Sequence, residues 1–383
     1  ADDLLIALDA KTGKTLWRAA EPGGFVWGVG KRMGFQVAPV YHQGTIFSMG
    51  TTGRLFAYRT SDGKKLWQTE PVAKMVEEKQ KQLTRSTILS ATANYGWQQS
   101  LIFAGGKLIV PRHDTLIALN PANGRKQWEL PKIISRWNTP TVWRHEKTDY
   151  LLCATGGRPG EAKLSLIDPA TGKILWTVEG LHSTQFNLAP SANHVLVNVG
   201  SKVMKEKPNG SSPKNADGQA PFGLLGAYRI TTKAATRAWT LPDKPHFLTP
   251  TWSDSLARPR TVIRNGYVYH TTGGPDKTTD RRFIIAKEDT GEVLVNEPRV
   301  NDFWFQLIED KLLHCIDWSH GSRASFNLYT ADPKNFRKLS GPWKPTHPLT
   351  TSYQVLMEPP VIAGQIYWRT EIGTIVCYDL RKH

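Results

Sequence analysis

One short sequence phrase occurs four times in this chain, and it constrains the fold more than any other feature. The copies are LLIALDAKTGKTLW (4–17), RLFAYRTSDGKKLW (54–67), TLIALNPANGRKQW (115–128) and KLSLIDPATGKILW (163–176). Each copy is a short apolar strand, a polar turn closed by Gly, and a second strand carrying Trp; a weaker copy ends at Trp239. A repeat of roughly 45–60 residues built from strands is typical of a β-propeller with one copy per blade.

The number of copies sets the number of blades. A blade has four antiparallel strands, A to D, with A innermost. Counting third strands predicts an all-β, eight-bladed propeller. The first copy has no A and B strands before it, and the last copy (374–383) has no D strand after it. We therefore expect the first blade to be incomplete in this chain, with residues upstream of Ala1 supplying its missing strands. The alternative is a seven-bladed ring in which 14–20 completes the last blade.

The repeat runs through residues 1–383, which predicts a single propeller domain with two loop insertions. The first insertion, 71–97, has a central part free of Gly and Pro, with apolar residues on one helical stripe. It is therefore predicted to be helical. The second insertion, 200–223, is polar and contains Gly, Pro and Ser, which predicts a mobile loop.

Composition narrows the class of partner. The formal net charge is +16, which allows an anionic ligand. The basic residues are scattered, with no run of five, so a nucleic acid is not favoured. No apolar run is long enough for a transmembrane helix, which needs about 18 residues.

The three cysteines, Cys153, Cys315 and Cys377, form no CxxC motif. We predict that each is a buried free thiol.

The turn between the two strands of each copy carries a family resemblance. The pattern formed by Ala7, Asp9, Thr12, Gly13, Lys14 and Trp17 resembles the tryptophan-docking motif of quinoprotein-type, PQQ-like repeat proteins. Blade four matches it, blade three matches with substitutions, and blade six has lost the Trp. Gly suits a left-handed turn, and the Trp is expected to pack on the next blade with its indole N–H on a backbone acceptor. These are stability residues rather than a binding site.

The resemblance implies a choice of function, because the family includes quinoprotein alcohol dehydrogenases and non-catalytic members of the outer-membrane assembly machinery. The dehydrogenases carry an adjacent-cysteine disulfide and a calcium or lanthanide site. This sequence has no neighbouring cysteines and no haem motif, and Glu358 is the only carboxylate expected near the propeller axis. A non-dehydrogenase member without a cofactor is therefore predicted; PQQ with calcium would belong to the quinoprotein alternative. The resemblance also implies a periplasmic or extracellular protein.

A second repeat suggests where a ligand would bind. An aromatic residue followed by an amide stands at or before six first strands: Phe35-Gln36, Trp97-Gln98, Trp137-Asn138, Phe186-Asn187, Phe305-Gln306 and Tyr353-Gln354. With Arg136 and Glu358, these amides and most of their aromatic partners are the predicted ligand-binding residues. In one interpretation the amides satisfy backbone groups and the aromatics pack between blades. In the other they form a polar funnel that binds a sugar.

Histidines are the remaining candidates. His113 and His320 fall in predicted B-to-C loops, and His182 and His246 in D-to-A loops. All four are therefore expected on one face of the propeller. They could form a general acid–base pair or a metal site, although a loop histidine is more often simply solvated or hydrogen-bonded. They are weak catalytic candidates, and no metal ligands are assigned.

Three functions follow from these patterns. The first is a secreted or periplasmic binding or scaffold module for a glycan, envelope or protein partner. The second is a carbohydrate-active enzyme, a lyase or hydrolase, with a site in the funnel. The third is a quinoprotein oxidoreductase. A histidine cluster beside a carboxylate or Arg would favour the lyase or hydrolase, and an oxygen cage suited to calcium would favour the quinoprotein.

Overall fold

A computed structural model describes most of the repeat strands. The described residues are 2–22, 37–50, 53–70, 99–112, 114–135, 138–155, 161–182, 188–200, 223–244, 247–249, 261–272, 282–298, 304–316, 325–344, 360–369 and 374–381. Within these ranges 30 β-strands form eight antiparallel sheets, and a short 3-10 turn precedes the last strand of blade seven.

The sheets follow one another along the chain as blades. The first has two strands, the fifth has five, the last has three and the other five have four. In each four-stranded sheet the spatial order of the strands equals their order in the chain. The fold is therefore an all-β propeller of four-stranded antiparallel blades, as predicted. Seven sheets have three strands or more, and the two-stranded first sheet is the predicted incomplete blade; blades are numbered one to eight in chain order.

The chain divides into two compact units. The first consists of 1–157, 162–179 and 232–234 and holds blades one to four. The strands of these blades are β1 Asp2–Leu8, β2 Thr15–Pro22, β3 Val40–His42, β4 Thr45–Met49, β5 Leu55–Arg59, β6 Lys65–Gln68, β7 Ile102–Ala104, β8 Lys107–Arg112, β9 Thr115–Leu119, β10 Lys126–Leu130, β11 Thr141–His145, β12 Thr148–Thr155, β13 Ala162–Ile167 and β14 Ile174–Leu181.

The second unit consists of 158–161, 180–231 and 235–383 and holds blades five to eight. The strands of these blades are β15 Ala189–Pro190, β16 His194–Gly200, β17 Gly223–Ile230, β18 Ala235–Thr240, β19 Leu248–Thr249, β20 Thr261–Arg264, β21 Tyr267–Thr271, β22 Arg282–Lys287, β23 Val293–Pro298, β24 Trp304–Ile308, β25 Lys311–Ile316, β26 Ser325–Thr330, β27 Lys338–Trp343, β28 Val361–Ile362, β29 Gln365–Arg369 and β30 Ile375–Asp379. The 3-10 turn is Pro333–Asn335.

Apolar layers between neighbouring blades form the core of each unit. Between blades two and three, Phe47, Met49 and Leu55 pack with Leu108 and Val110. The middle strands are buried on both faces because a neighbouring blade lies on each side. For that reason they appear in the sequence as nearly continuous apolar runs rather than as alternating patterns.

A tryptophan on the fourth strand joins each early blade to the next. In the first unit, Trp17 Nε1 donates to Thr60 O at 2.8 Å and Trp67 Nε1 donates to Pro121 O at 2.8 Å. Trp128 makes the same bond to Pro169 O at 3.0 Å. Each ring lies against a glycine of the accepting turn, where a Cβ would come within 2.7–2.9 Å of ring carbons; these glycines are Gly63, Gly124 and Gly172. In the second unit Trp239 contacts Gly291 in the same way.

The first blade differs from the others in its burial. Ile6 and Leu8 on β1 are 44% and 37% exposed. Phe56 and Tyr58, at the equivalent positions of the second copy, are 4% and 1% exposed. Among the described residues β1 pairs only with β2, and the apolar side chains on one of its faces are exposed.

The structure corrects one expectation from the sequence. Cys153 is a buried free thiol, but Cys377 is exposed, so its predicted burial is wrong. Cys377 lies on β30, the third strand of a sheet with no fourth strand among the described residues. Blade seven has a fourth strand, β27, whose pairing with β26 shifts register twice, and blade five has a fifth strand, β19, paired with β17. Residues 71–98 and 201–222 lie outside the described residues, and with them nearly all of both predicted insertions.

Candidate functional site

The loops that connect strands B to C, and D to the next A, share one face of a blade, called here the BC–DA face. It is the face on which the sequence places its candidate site. Of the predicted site residues, the structure describes Asn138, Gln306 and His182. The others lie outside the described residues: Gln36, Trp97, Gln98, His113, Arg136, Trp137, Phe186, Asn187, His246, His320, Tyr353, Gln354 and Glu358.

Asn138 lies in a buried polar seam where blades three and four begin. It is 3% exposed, and its backbone N–H donates to Ser135 O at 3.0 Å. The neighbouring Gln99 amide donates from Nε2 to Ser135 O at 3.0 Å and to Asn138 O at 3.1 Å. One buried amide thus satisfies two backbone carbonyls. This arrangement matches the structural interpretation of amides near the inner strands.

Phe305 and Gln306 show how an aromatic–amide pair is placed on a strand. Phe305 is fully buried, and its ring meets Phe283 edge-on with centroids 5.3 Å apart. Gln306 is half-buried and lies opposite Leu313 on β25. Because neighbouring strand residues point to opposite faces, only one member of the pair packs between blades six and seven. The aromatic member therefore acts as core here.

His182 follows β14 directly, at the start of the connection to blade five. It is 2% exposed, and its backbone N–H donates to Asn198 O on β16 at 3.0 Å. Its place in a D-to-A connection agrees with the sequence pattern. Its burial sets it against the second strand of the following blade rather than at an open surface.

Arg112 is a residue of the BC–DA face that the sequence analysis passed over. It ends β8, and its guanidinium donates from Nη2 to Gly53 O at a long 3.4 Å. Withdrawal from water lowers the pKa of Arg112 to about 10, and Glu129 acts weakly in the opposite direction. The guanidinium therefore remains charged at neutral pH. The signal in the sequence was a cation directly after the apolar run LIVP of this strand.

A second polar cluster, on the opposite face, joins blades five and six. Glu288 Oε1 accepts a 2.5 Å bond from Ser191 Oγ and lies 3.0 Å from His194 Nδ1. Its backbone carbonyl accepts from Trp239 Nε1 at 2.7 Å. The cluster contains the three residue types of a hydrolase triad, but the carboxylate stands between serine and histidine. A nucleophilic serine must contact the histidine that takes its proton, so this geometry fits blade-to-blade bonding.

Neither a metal-ligand cluster nor a membrane-spanning helix occurs in the described part of the chain. Within it, no group of three or more His, Cys, Asp or Glu side chains is placed to hold a metal ion. Nor does any helix in it have the length and apolar character to cross a membrane.

Comparison with known proteins identifies the repeat. Residues 1–184 match the family model PQQ_2, described as "Outer membrane protein assembly factor BamB". Residues 1–184 carry PQQ-like repeats. The fold of the chain is similar to that of BamB from Moraxella catarrhalis, with 12% identity, a TM-score of 0.53, and coverage of 98% of this chain and 96% of that chain.

Two further solved structures are similar to the PQQ-like chain. The computationally designed Ika8 protein is 11% identical with a TM-score of 0.52, over 93% of this chain and 86% of that one. A europium-containing methanol dehydrogenase is 14% identical with a TM-score of 0.46, over 82% and 70%. No curated protein matches the sequence significantly.

Proposed function

We propose that this PQQ-like propeller is a periplasmic or extracellular binding or scaffold module that holds a protein partner. The observation that carries the proposal is the match of residues 1–184 to the model described as an outer membrane protein assembly factor. An assembly factor acts by contacting other proteins. In this proposal the repeat of the present chain serves the same general purpose, with blades as a rigid platform.

The first blade provides a surface suited to a protein partner. Leu4, Ile6 and Leu8 alternate along β1, and they are 61%, 44% and 37% exposed. Alternate residues of a strand share one face, so the three side chains form a continuous apolar strip. Leu16 on β2 is 63% exposed and lies at the bulge where the pairing of β1 with β2 shifts.

The position of this strip in the repeat supports a role in contact. Burying a large apolar side chain contributes about 1.5–3 kcal/mol, and blades two and three gain this where Phe56 and Ile117 are buried. Blade one has an apolar residue, Ile6, at the corresponding position, but this side chain is exposed instead of buried. No described strand pairs with the other edge of β1, and in this proposal the backbone donors and acceptors of that edge bind a partner strand.

Site-specific photo-crosslinking in the source organism tests the proposal. A photoreactive residue would replace Ile6, with Leu66 as the matched control because it is 45% exposed and lies on β6 of blade two. We expect the Ile6 derivative to capture one envelope protein that also co-purifies with the unmodified chain. Ile6→Glu should then weaken binding of the purified partner by tenfold or more, whereas Leu66→Glu should leave it unchanged.

Two results would contradict the proposal. One is a purified chain that carries no partner in stoichiometric amount under crosslinking conditions. The other is equal labelling from positions 6 and 66, which would mean that the strip on blade one is not a specific surface. Circular dichroism of Ile6→Glu controls for folding, and the change is expected to be tolerated because Ile6 is exposed.

A further inference from the structure

Arg112 lies where the apolar layer between blades two and three reaches the BC–DA face. Side chains alternate along a strand, so Arg112 shares a face of β8 with Leu108 and Val110, which belong to that layer. Its guanidinium reaches the loop between β4 and β5 of blade two, where it meets Gly53 O at 3.4 Å. The cation thus lies between two loops of the BC–DA face.

The described residues provide the Arg112 guanidinium with few hydrogen-bond acceptors and no carboxylate partner. Its Nε is buried and has no hydrogen-bond acceptor among them, and none of them forms an ion pair with it. Glu129, the carboxylate that acts on Arg112 through space, is bonded to Lys126 Nζ at 2.6 Å. Burying a charge costs free energy unless the charge is paired, so the guanidinium has unused capacity for an anionic group.

The repeat shows that a cation is not needed at this position. The strand pairing aligns Arg112 with Gly50 in blade two, Thr155 in blade four, Val199 in blade five and Thr272 in blade six. All four are neutral, and each lies at or beside the end of its second strand. An uncharged residue is therefore sufficient to end the second strand of a blade, and the fold alone does not require the charge of Arg112.

We propose that Arg112 is a binding position for an oxyanion, a carboxylate or phosphate group, at the BC–DA face of blades two and three. A guanidinium offers a planar set of N–H donors that matches two oxygens of such a group. The net charge of +16 favours the approach of an anion. The inference does not depend on the proposed protein partner and would hold for a small anionic ligand.

Nuclear magnetic resonance of the arginine Nε–H groups tests this directly. Sodium phosphate and sodium acetate would be titrated separately into the whole chain, with sodium chloride keeping the ionic strength constant. We expect the Arg112 Nε–H signal, assigned by its loss in Arg112→Met, to shift saturably with phosphate or acetate but not with chloride. The tighter of the two ions identifies the preferred oxyanion.

Variants separate a binding site from a general charge effect. The Gly53 backbone amide signal reports binding in each variant. Arg112→Met should weaken binding at least about tenfold, the factor of a charge-assisted hydrogen bond. Arg112→Lys keeps the charge but loses the planar donor set and should weaken it less. Arg144→Met is the matched control, because Arg144 is exposed and bonded to Asp149 at 2.8 Å.

The proposal is overturned if neither oxyanion shifts the Arg112 signal saturably in the unmodified chain. It is also overturned if Arg112→Met binds as tightly as the parent, or if Arg144→Met weakens binding equally. Should Arg112→Met fail to fold, the unmodified chain and Arg112→Lys still decide the question.

Discussion

Adding one methyl group to equivalent glycines measures what the tryptophan contacts contribute. Gly13 and Gly124 close the same turn in blades one and three, with φ of +69° and +71°. A Cβ at Gly13 would meet nothing within 4 Å, whereas a Cβ at Gly124 would lie 2.9 Å from Trp67 Cε3 and 3.0 Å from Cζ3. Gly13→Ala and Gly124→Ala therefore share the backbone strain and differ in the clash with the ring.

The two costs can be estimated separately. A side chain in the left-handed region costs about 1–2 kcal/mol, which is the whole cost expected for Gly13→Ala. Carbon atoms normally meet at about 3.5–4.0 Å, so the Trp67 ring must move away from the methyl group added at Gly124, and overpacking of this kind costs about 1–3 kcal/mol. We expect Gly124→Ala to lower the free energy of unfolding by about 1–3 kcal/mol more than Gly13→Ala does.

Urea unfolding followed by far-ultraviolet circular dichroism measures both changes. Trp67→Ala supplies a second test, since it removes the ring that the new methyl group meets. In that background Gly124→Ala should cost no more than Gly13→Ala. Equal costs for the two glycines in the parent chain, or an undiminished cost of Gly124→Ala in the Trp67→Ala background, would refute the reasoning.

Three further predictions concern buried polar and thiol groups. Glu21→Ala should lower the free energy of unfolding by about 1–3 kcal/mol, because the buried Tyr58 hydroxyl loses its acceptor. Adding Tyr58→Phe should recover much of this loss. A further loss of stability in the double variant would contradict this explanation. Burial raises the pKa of Tyr269 to about 12, so the native state keeps a proton that the unfolded state releases from about pH 10 upward. Stability should fall between about pH 10 and 12, and less steeply in Tyr269→Phe; identical slopes in urea titrations would exclude this. Burial also raises the pKa of the Cys153 thiol, so mass spectrometry after brief alkylation should find Cys377 modified and Cys153 untouched until urea is added.

The repeat made the fold predictable because each blade satisfies the same local demands. Gly124 and Gly172 take positive φ, and Trp67 and Trp128 bond to backbone carbonyls, as expected from the motif. What the repeat could not predict depends on neighbours. Cys377 looked like a core residue by its strand, yet its exposure depends on whether a further strand covers it. The fourth strand of blade seven has no sequence signature, because pairing with β26 rather than residue type holds it in place.

The candidate site was less predictable than the fold. Pattern alone placed amides near the inner strands, but it could not distinguish Gln98, the predicted residue, from Gln99, whose amide bonds two backbone carbonyls. A shift of one residue moves a side chain to the other face of a strand. Arg112 was missed for a different reason: its interest comes from burial without a charged partner, and this depends on how two blades pack.

The contacts between tryptophan and glycine have a direction along the chain. Blades two and three each offer a ring on the outer strand and accept one at the turn, whereas no described ring meets Gly13 of blade one. A blade copied into the middle of the series would therefore receive one ring and provide another, and every existing contact would be preserved. Such a chain could have lengthened by duplication of a whole blade without inventing a new interface.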